Sequence, residues 1–158
     1  MSDLQEKRPI RFVVDSMLGA LSRYLRIMGY DAVYRSYYSD KILSELVQEG
    51  RILLTRTRAT YRQYGNSIFI DSDLVKDQLK VVDNAIGLTM DRGEWFKRCL
   101  VCNSFLSKAE EETARDNVPD YIFLKYSERM FFCPSCKKFY WPGTHRQRML
   151  KRLKDWGL

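Results

Sequence analysis

The four cysteines of the chain form two Cys-x-x-Cys pairs, and this arrangement constrains the fold more than any other feature of the sequence. The pairs are Cys99 with Cys102 and Cys133 with Cys136. Each pair can direct two sulfurs at one centre, which is the spacing of a tetrahedral zinc site with four thiolate ligands. Disulfide bonds and a redox-active pair are the alternatives, although a reducing compartment disfavours disulfides and a redox pair needs only one motif. We predict a structural zinc ion that replaces the core a small module lacks.

Length and charge indicate where such a chain works and what it binds. The 158 residues suffice for one hydrophobic core with a small accessory module. No apolar run approaches the roughly 20 residues that cross a bilayer, and the N-terminal stretch MSDLQEKRPI lacks the apolar segment of a secretory signal. We therefore expect a cytoplasmic protein with no membrane partner. The net charge of +7 favours an anionic partner, above all nucleic acid, with a merely solvated basic surface as the alternative.

Short apolar strands alternate with amphipathic helices over the first module, residues 1–92. The predicted strands are 11–15, 31–36, 51–55 and 67–71, and residues 59–64 are helical or irregular. The first helix is capped by Ser16 with Arg23 and Arg26 facing water, and the second is capped by Ser39 or Asp40. A longer helix carries Val75, Leu79, Val82 and Ile86 on one face. Parallel neighbours need crossover helices, so the pattern predicts an α/β fold with a parallel sheet and helices on both faces.

The second module, residues 93–158, contains both cysteine pairs and ends in a basic helix. We predict a small four-cysteine zinc ribbon followed by a C-terminal helix with Thr144 as its N-cap. Met149, Leu150, Leu153 and Trp156 share one face of that helix and should dock it on an apolar surface. From residue 137 to the end, only Asp155 opposes seven basic side chains: Lys137, Lys138, Arg146, Arg148, Lys151, Arg152 and Lys154.

Four carboxylates follow the predicted strands of the first module, and we call them the acidic rim: Asp15, Asp40, Asp71 and Asp73. The carboxyl ends of parallel strands meet at one edge, where carboxylates can hold Mg²⁺ or Mn²⁺ for phosphodiester hydrolysis. Each acid also has a structural alternative as a helix cap or turn residue. For Asp15, at the end of the first buried strand, we favour a functional role because a carboxylate there needs a cation or hydrogen-bond donors.

The motifs of the chain, taken in order, resemble one known family. They are D-x-M-L-G-x-L-x-R-x-L-R-x-x-G-Y from Asp15, L-L-T-R from Leu53, both cysteine pairs, and Y-W-x-G-T-H from Tyr140. This order resembles the Mut-seven C-terminal RNase (Mut7-C) family over nearly the whole chain. The resemblance implies a PIN-like nuclease domain joined to a zinc ribbon. It also implies that Asp15 and Asp40 bind a metal and that the four cysteines are the zinc ligands.

The chain departs from the family pattern at the third strand. Such proteins typically have L-L-T-R-D, whereas this sequence has Thr57 in place of the acid. Lys41 follows Asp40 where a second acid is common. Threonine supplies a neutral oxygen, and fewer carboxylates bind a hard dication more weakly. We therefore expect cleavage activity to be weak or lost.

Two functional hypotheses remain open at this point, with a protein-binding module as a weaker third. The first is a Mg²⁺- or Mn²⁺-dependent endoribonuclease that uses the acidic rim as its catalytic site, with Thr55 and Thr57 orienting water or phosphate. The second is an RNA-binding protein, on ribosomal or other structured RNA, that keeps the fold without the chemistry. The predicted RNA contacts are Arg35, Tyr37, Tyr38, Arg51, Arg56, Arg58, Arg62, Lys137, Lys138, Arg146, Arg148, Lys151 and Arg152.

Overall fold

A computed structural model describes residues 9–89 and 91–158. The N-terminal stretch considered above for a secretory signal lies, up to residue 8, outside the described residues. The first module contains a four-stranded parallel sheet in the order β2-β1-β3-β4. Its strands are β1 (Arg11–Val14), β2 (Asp31–Tyr34), β3 (Ile52–Thr55) and β4 (Ser67–Phe69). All four predicted strands are present, each one or two residues shorter than expected.

Three helices connect these strands, as the α/β pattern requires, and a fourth follows the last strand. They are α1 (Gly19–Ile27), preceded by a 3-10 turn at Ser16–Leu18, α2 (Asp40–Gln48), α3 (Arg58–Gln63) and α4 (Val75–Ile86). Phe12, Val13 and Val14 are each 0% exposed. Successive residues of a strand face opposite sides of the sheet, so full burial of all three means that both faces are covered. The predicted α/β class is confirmed.

The second module adds a three-stranded antiparallel sheet in the order β5-β6-β7. Its elements are β5 (Ser107–Lys108), α5 (Glu111–Asn117), α6 (Asp120–Tyr126), β6 (Phe131–Phe132), β7 (Phe139–Tyr140) and α7 (Thr144–Asp155). A small second core forms around Phe123 and Met130. Helix α7 begins at Thr144, but Gly143 is its N-cap.

Helix α7 packs on the core of the parallel sheet rather than on the ribbon alone. Leu153 is fully buried in the same cluster as Phe12 and Leu54. The ring of Trp156 lies 4.9 Å from the ring of Tyr24 on α1, measured between centroids. The predicted docking of this helix is therefore confirmed, and Leu153 of α7 shares a hydrophobic core with Phe12 of β1.

Two local predictions on α1 and its approach are wrong. Arg23 is exposed as expected, but Arg26 is 2% exposed, because its guanidinium satisfies backbone carbonyls of the second module. Asp15, and not Ser16, caps the first turn, since its carboxylate accepts a hydrogen bond from the backbone N–H of Met17.

Within the described residues, no helix combines the length and apolar character required to cross a membrane.

Candidate functional site

The four cysteine sulfurs converge on one point between two tight turns, Cys99–Asn103 and Cys133–Lys137, which we call the two knuckles. The Sγ atoms of Cys99, Cys102, Cys133 and Cys136 all lie within 4.8 Å of one another. The Cys99–Cys136 distance is 3.4 Å and the Cys102–Cys133 distance is 3.3 Å, both between Sγ atoms. A tetrahedral metal ion with bonds of about 2.3 Å to sulfur requires ligand atoms at this mutual spacing. The four cysteines are therefore positioned to hold a metal ion.

The two knuckles have the same backbone design. In each, the N–H of the second cysteine points at the first sulfur at 3.5 Å, from Cys102 to Cys99 and from Cys136 to Cys133. The residue after each pair, Asn103 or Lys137, has a positive φ of 71° or 59°. Its N–H bonds back to the carbonyl of the first cysteine. A left-handed residue closes each turn so that both sulfurs face inward.

The charge balance of the cluster also fits a cation. Burial opposes ionisation of Cys102, but the hydroxyl and N–H of Ser104 lower the pKa of that thiol to about 6. Burial and the neighbouring sulfurs raise the pKa of Cys136 to about 12. The hydroxyl of Tyr140 lies 3.0 Å from the Cys99 sulfur, the position of a donor that supports a ligand from outside. Four adjacent thiolates repel one another, and a bound dication allows all four to ionise.

A polar junction joins the first knuckle to the free edge of strand β2, and we define it by Arg26, Asp31, Arg51 and Asn103. Arg26 donates to the carbonyls of Leu100 and Val101 at 2.9 and 3.1 Å. The side chain of Asn103 accepts from the N–H of Ala32 at 3.1 Å and donates to Asp31 at 2.7 Å.

The carboxylate of Asp31 completes this junction through a bidentate pair with Arg51. The two hydrogen bonds measure 2.8 and 3.1 Å. Burial acts against the charged form, but the hydrogen bonds from Arg51 and Asn103 outweigh it and lower the pKa of Asp31. The first knuckle and the parallel sheet are therefore joined by one network of hydrogen bonds.

At the acidic rim, the carboxylate of Asp15 is already engaged by the fold. One oxygen accepts from the hydroxyl of Thr55 at 2.7 Å, and the other accepts from the hydroxyl of Ser16 at 3.1 Å. The Thr55 hydroxyl also accepts from the N–H of Thr57 at 3.1 Å. Asp15 and Thr55 thus fix the end of the first strand and the start of the loop that carries Thr57.

No three acids of the rim come as close together as the cysteine sulfurs do, within the described residues. Among the described residues, the cysteine cluster is the only group of three or more metal-binding side chains whose ligand atoms come this close together. Asp40 and Asp71 are exposed, and Ser39, rather than Asp40, caps α2. Asp73 forms an ion pair of 2.6 Å with Arg56.

A protein-family model described as the Mut7-C RNAse domain matches residues 10–153. The matched segment contains the parallel sheet, the acidic rim and all four cysteines. The chain belongs to the Mut7-C RNase domain family. No curated protein sequence matches it.

The basic side chains of this Mut7-C chain divide into structural and exposed groups. Arg51, predicted to contact RNA, is 8% exposed and bound to Asp31, so that expectation is corrected. Tyr38 is half-buried, and its single O–H lies within reach of two acceptors, the carbonyls of Val14 at 3.1 Å and Val33 at 3.2 Å. Burial raises its pKa to about 12, and its stacking role stays a prediction. Exposed predicted contacts are Arg35, Tyr37, Arg58, Arg62, Lys137, Lys138, Arg148, Lys151 and Arg152.

Sequence reasoning on this Mut7-C chain missed the junction residues Asp31 and Asn103, and it missed Tyr140 beside the metal cluster. One signal was available for Asn103. Asparagine tolerates the left-handed backbone, and it directly follows a Cys-x-x-Cys pair where such a conformation closes the turn. Asp31 and Tyr140 carry no local signal, since their partners lie 20 and 41 residues away.

Proposed function

We propose that this Mut7-C chain is a cytoplasmic RNA-binding protein of the PIN-like RNase type whose catalytic acid site is depleted. The observation that carries the proposal is the Arg56–Asp73 ion pair at the rim. One of the four candidate metal ligands is paired with an arginine, and Thr57 stands where the family pattern has an acid. A rim arranged in this way suits phosphate better than a hard dication.

The exposed basic side chains supply the electrostatic attraction in this proposal. Arg58 lies over the ring of Phe69 at 4.6 Å and is exposed together with Arg62 and Arg35. On α7, Arg148, Lys151 and Arg152 are exposed, with Lys151 paired to Asp155. Tyr37, 76% exposed beside Arg35, offers a stacking face. Structured RNA, including ribosomal RNA, is the proposed target class because it combines dense phosphate with unpaired bases.

The metal of the cysteine cluster is proposed to be zinc in a structural role. A closed set of four thiolates leaves no open position for water or substrate. Its contribution is to hold the two knuckles and, through Asn103, the edge of the sheet. A Mg²⁺ or Mn²⁺ ion at the rim belongs to the alternative hypothesis of an active endoribonuclease.

A binding and cleavage assay on one labelled RNA tests this proposal. A hairpin with a single-stranded loop should bind without added Mg²⁺ or Mn²⁺, and its affinity should fall steeply as salt rises. After incubation with Mn²⁺, the RNA should remain intact on a denaturing gel. Cleavage that Asp15→Asn abolishes would establish the endoribonuclease instead, and failure to bind RNA at low salt would refute both.

A further inference from the structure

A cavity of about 610 Å³ lies between α1, α6, α7 and the metal ribbon. This volume is within the range of roughly 300–1,000 Å³ that is common for small-ligand sites. The motif Y-W-x-G-T-H supplies Tyr140, Trp141, Gly143, Thr144 and His145 to its wall. Only Tyr140 of these also contacts the metal cluster, through the Cys99 sulfur. We refer to this cavity as the ribbon cavity.

The ribbon cavity is lined by cations without acids. Arg23, Arg98, Lys138 and Arg146 line it, and none of its lining residues, all in the described part of the chain, is Asp or Glu. Arg98 is held by the carbonyls of Gly29 and Asn103. The other three cations have no hydrogen bond or ion pair to any residue that the structure describes. A cavity of this charge is complementary to an anion.

Arg146 is the half-buried cation of the cavity with the most unused hydrogen-bonding capacity. Its guanidinium lies 4.3 Å from the centre of the Phe96 ring, and burial lowers its pKa. It is half-buried, yet its five N–H donors find no acceptor within the described residues. A bound phosphate supplies an acceptor whose geometry matches that of the guanidinium.

The wall also offers exposed aromatic faces. Tyr121 on α6 is 71% exposed and Phe131 on β6 is 40% exposed. Trp141 is positioned by Gly143, where a Cβ atom would lie only 2.9 Å from the indole nitrogen. Aromatic rings beside unpaired cations are the combination that binds single-stranded nucleic acid, by base stacking and phosphate pairing together.

We propose that the ribbon cavity binds one unpaired nucleotide of an RNA strand, its base against the aromatic wall and its phosphate on Arg146 and Lys138. This inference rests on the proposed function, and it specifies which part of an RNA is held. A fully paired duplex keeps its bases stacked inside and cannot insert one. The cavity therefore gives the chain a preference for unpaired RNA that a basic surface alone does not provide.

Fluorescence anisotropy with two labelled probes, a short oligouridine and a blunt-ended RNA duplex, tests the proposal. Arg146→Gln should weaken oligouridine binding by about tenfold and change duplex binding much less, because it removes a contact available only to an inserted nucleotide. The matched control is Arg148→Gln, which removes the same charge from the same helix outside the cavity. It should weaken both probes by the same small factor.

Exposed Tyr121 provides a second variant that leaves the packing of Phe96 intact. Tyr121→Ala should weaken oligouridine binding by about tenfold, and Tyr121→Phe should restore it, since a phenyl ring still stacks. If the wild-type chain binds neither probe, the proposed function fails and this inference with it. If it binds RNA but Arg146→Gln and Arg148→Gln behave alike and Tyr121→Ala has no effect, only the ribbon cavity is refuted.

Discussion

At the scale of single residues, Asp31 holds the junction between the sheet and the ribbon. Its carboxylate accepts from Arg51 and Asn103, and Arg51 is almost fully buried. Replacement by Ala leaves a buried guanidinium short of its main acceptor, so Asp31→Ala should lower the free energy of unfolding by about 3 kcal/mol. Urea denaturation measures this change. Asp155→Ala, which removes an exposed carboxylate, should alter it by less than about 0.5 kcal/mol.

The lowered pKa of Asp31 also predicts that the stability of the protein depends on pH. The pKa of Asp31 is lower in the folded protein than its ordinary value of 3.8. Its stabilising contribution is therefore complete above pH 3.8 and is lost as the pH falls through the lower, folded pKa. Acid titration followed by circular dichroism should show wild type losing stability in this range. The stability of Asp31→Asn should fall less steeply there, and an identical acid transition in both proteins would contradict the assignment.

Under the proposed function, Thr57 makes the rim favour phosphate over a metal ion. It is exposed at the start of α3, next to Arg56 and Arg58. Thr57→Asp should weaken RNA binding by about threefold or more, because the new charge repels phosphate and competes for the arginines. The control is Thr57→Asn, whose side chain has the shape of Asp but no charge. Its RNA affinity should stay within about twofold of that of wild type. Restored Mn²⁺-dependent cleavage in Thr57→Asp would instead show that one carboxylate is all that the rim lacks.

At the scale of elements, helix α7 contributes to the main core from the far end of the chain. Leu153→Ala should lower the free energy of unfolding by about 3 kcal/mol, because it removes a fully buried side chain and leaves a cavity in the core. Lys154→Ala, exposed on the same turn, is the matched control and should change stability by less than about 0.5 kcal/mol. Equal effects of the two substitutions in chemical denaturation would mean that α7 does not belong to the cooperative core.

Local pattern predicts the elements of this fold well where burial is periodic or spacing is strict. The alternating strands, the apolar face of α7 and the cysteine cluster all follow from residues close in sequence. Arg26 was misjudged because helical periodicity places it towards solvent, whereas a knuckle 74 residues away supplies its carbonyl partners. The Arg56–Asp73 ion pair could not be predicted for a related reason, because the strand ends locate Asp15 and Asp73 but do not indicate the partner of Asp73. The catalytic role of the acidic rim stays a prediction.

At the scale of the whole molecule, we expect metal binding and the stability of the sheet to be coupled through the junction. Zinc stoichiometry by elemental analysis should be one per chain, and chelation should lower the thermal midpoint of the whole protein rather than of the ribbon alone. Asn103→Ala should reduce that coupling without removing the metal. A sheet core that melts at the same temperature with and without metal would refute it. The division into modules 1–92 and 93–158 stays a prediction.

The position of Asn103 has a consequence for colloidal behaviour. Strand β2 is an outer strand of the parallel sheet, and both backbone polar groups of Ala32 on its outer edge are bonded to side chains, the N–H to Asn103 and the carbonyl to Arg26. An outer strand without such cover pairs readily with strands of other molecules. The first knuckle therefore protects the outer edge of β2 from pairing with strands of other molecules. Without bound metal, the chain is expected to aggregate through β2 before it unfolds.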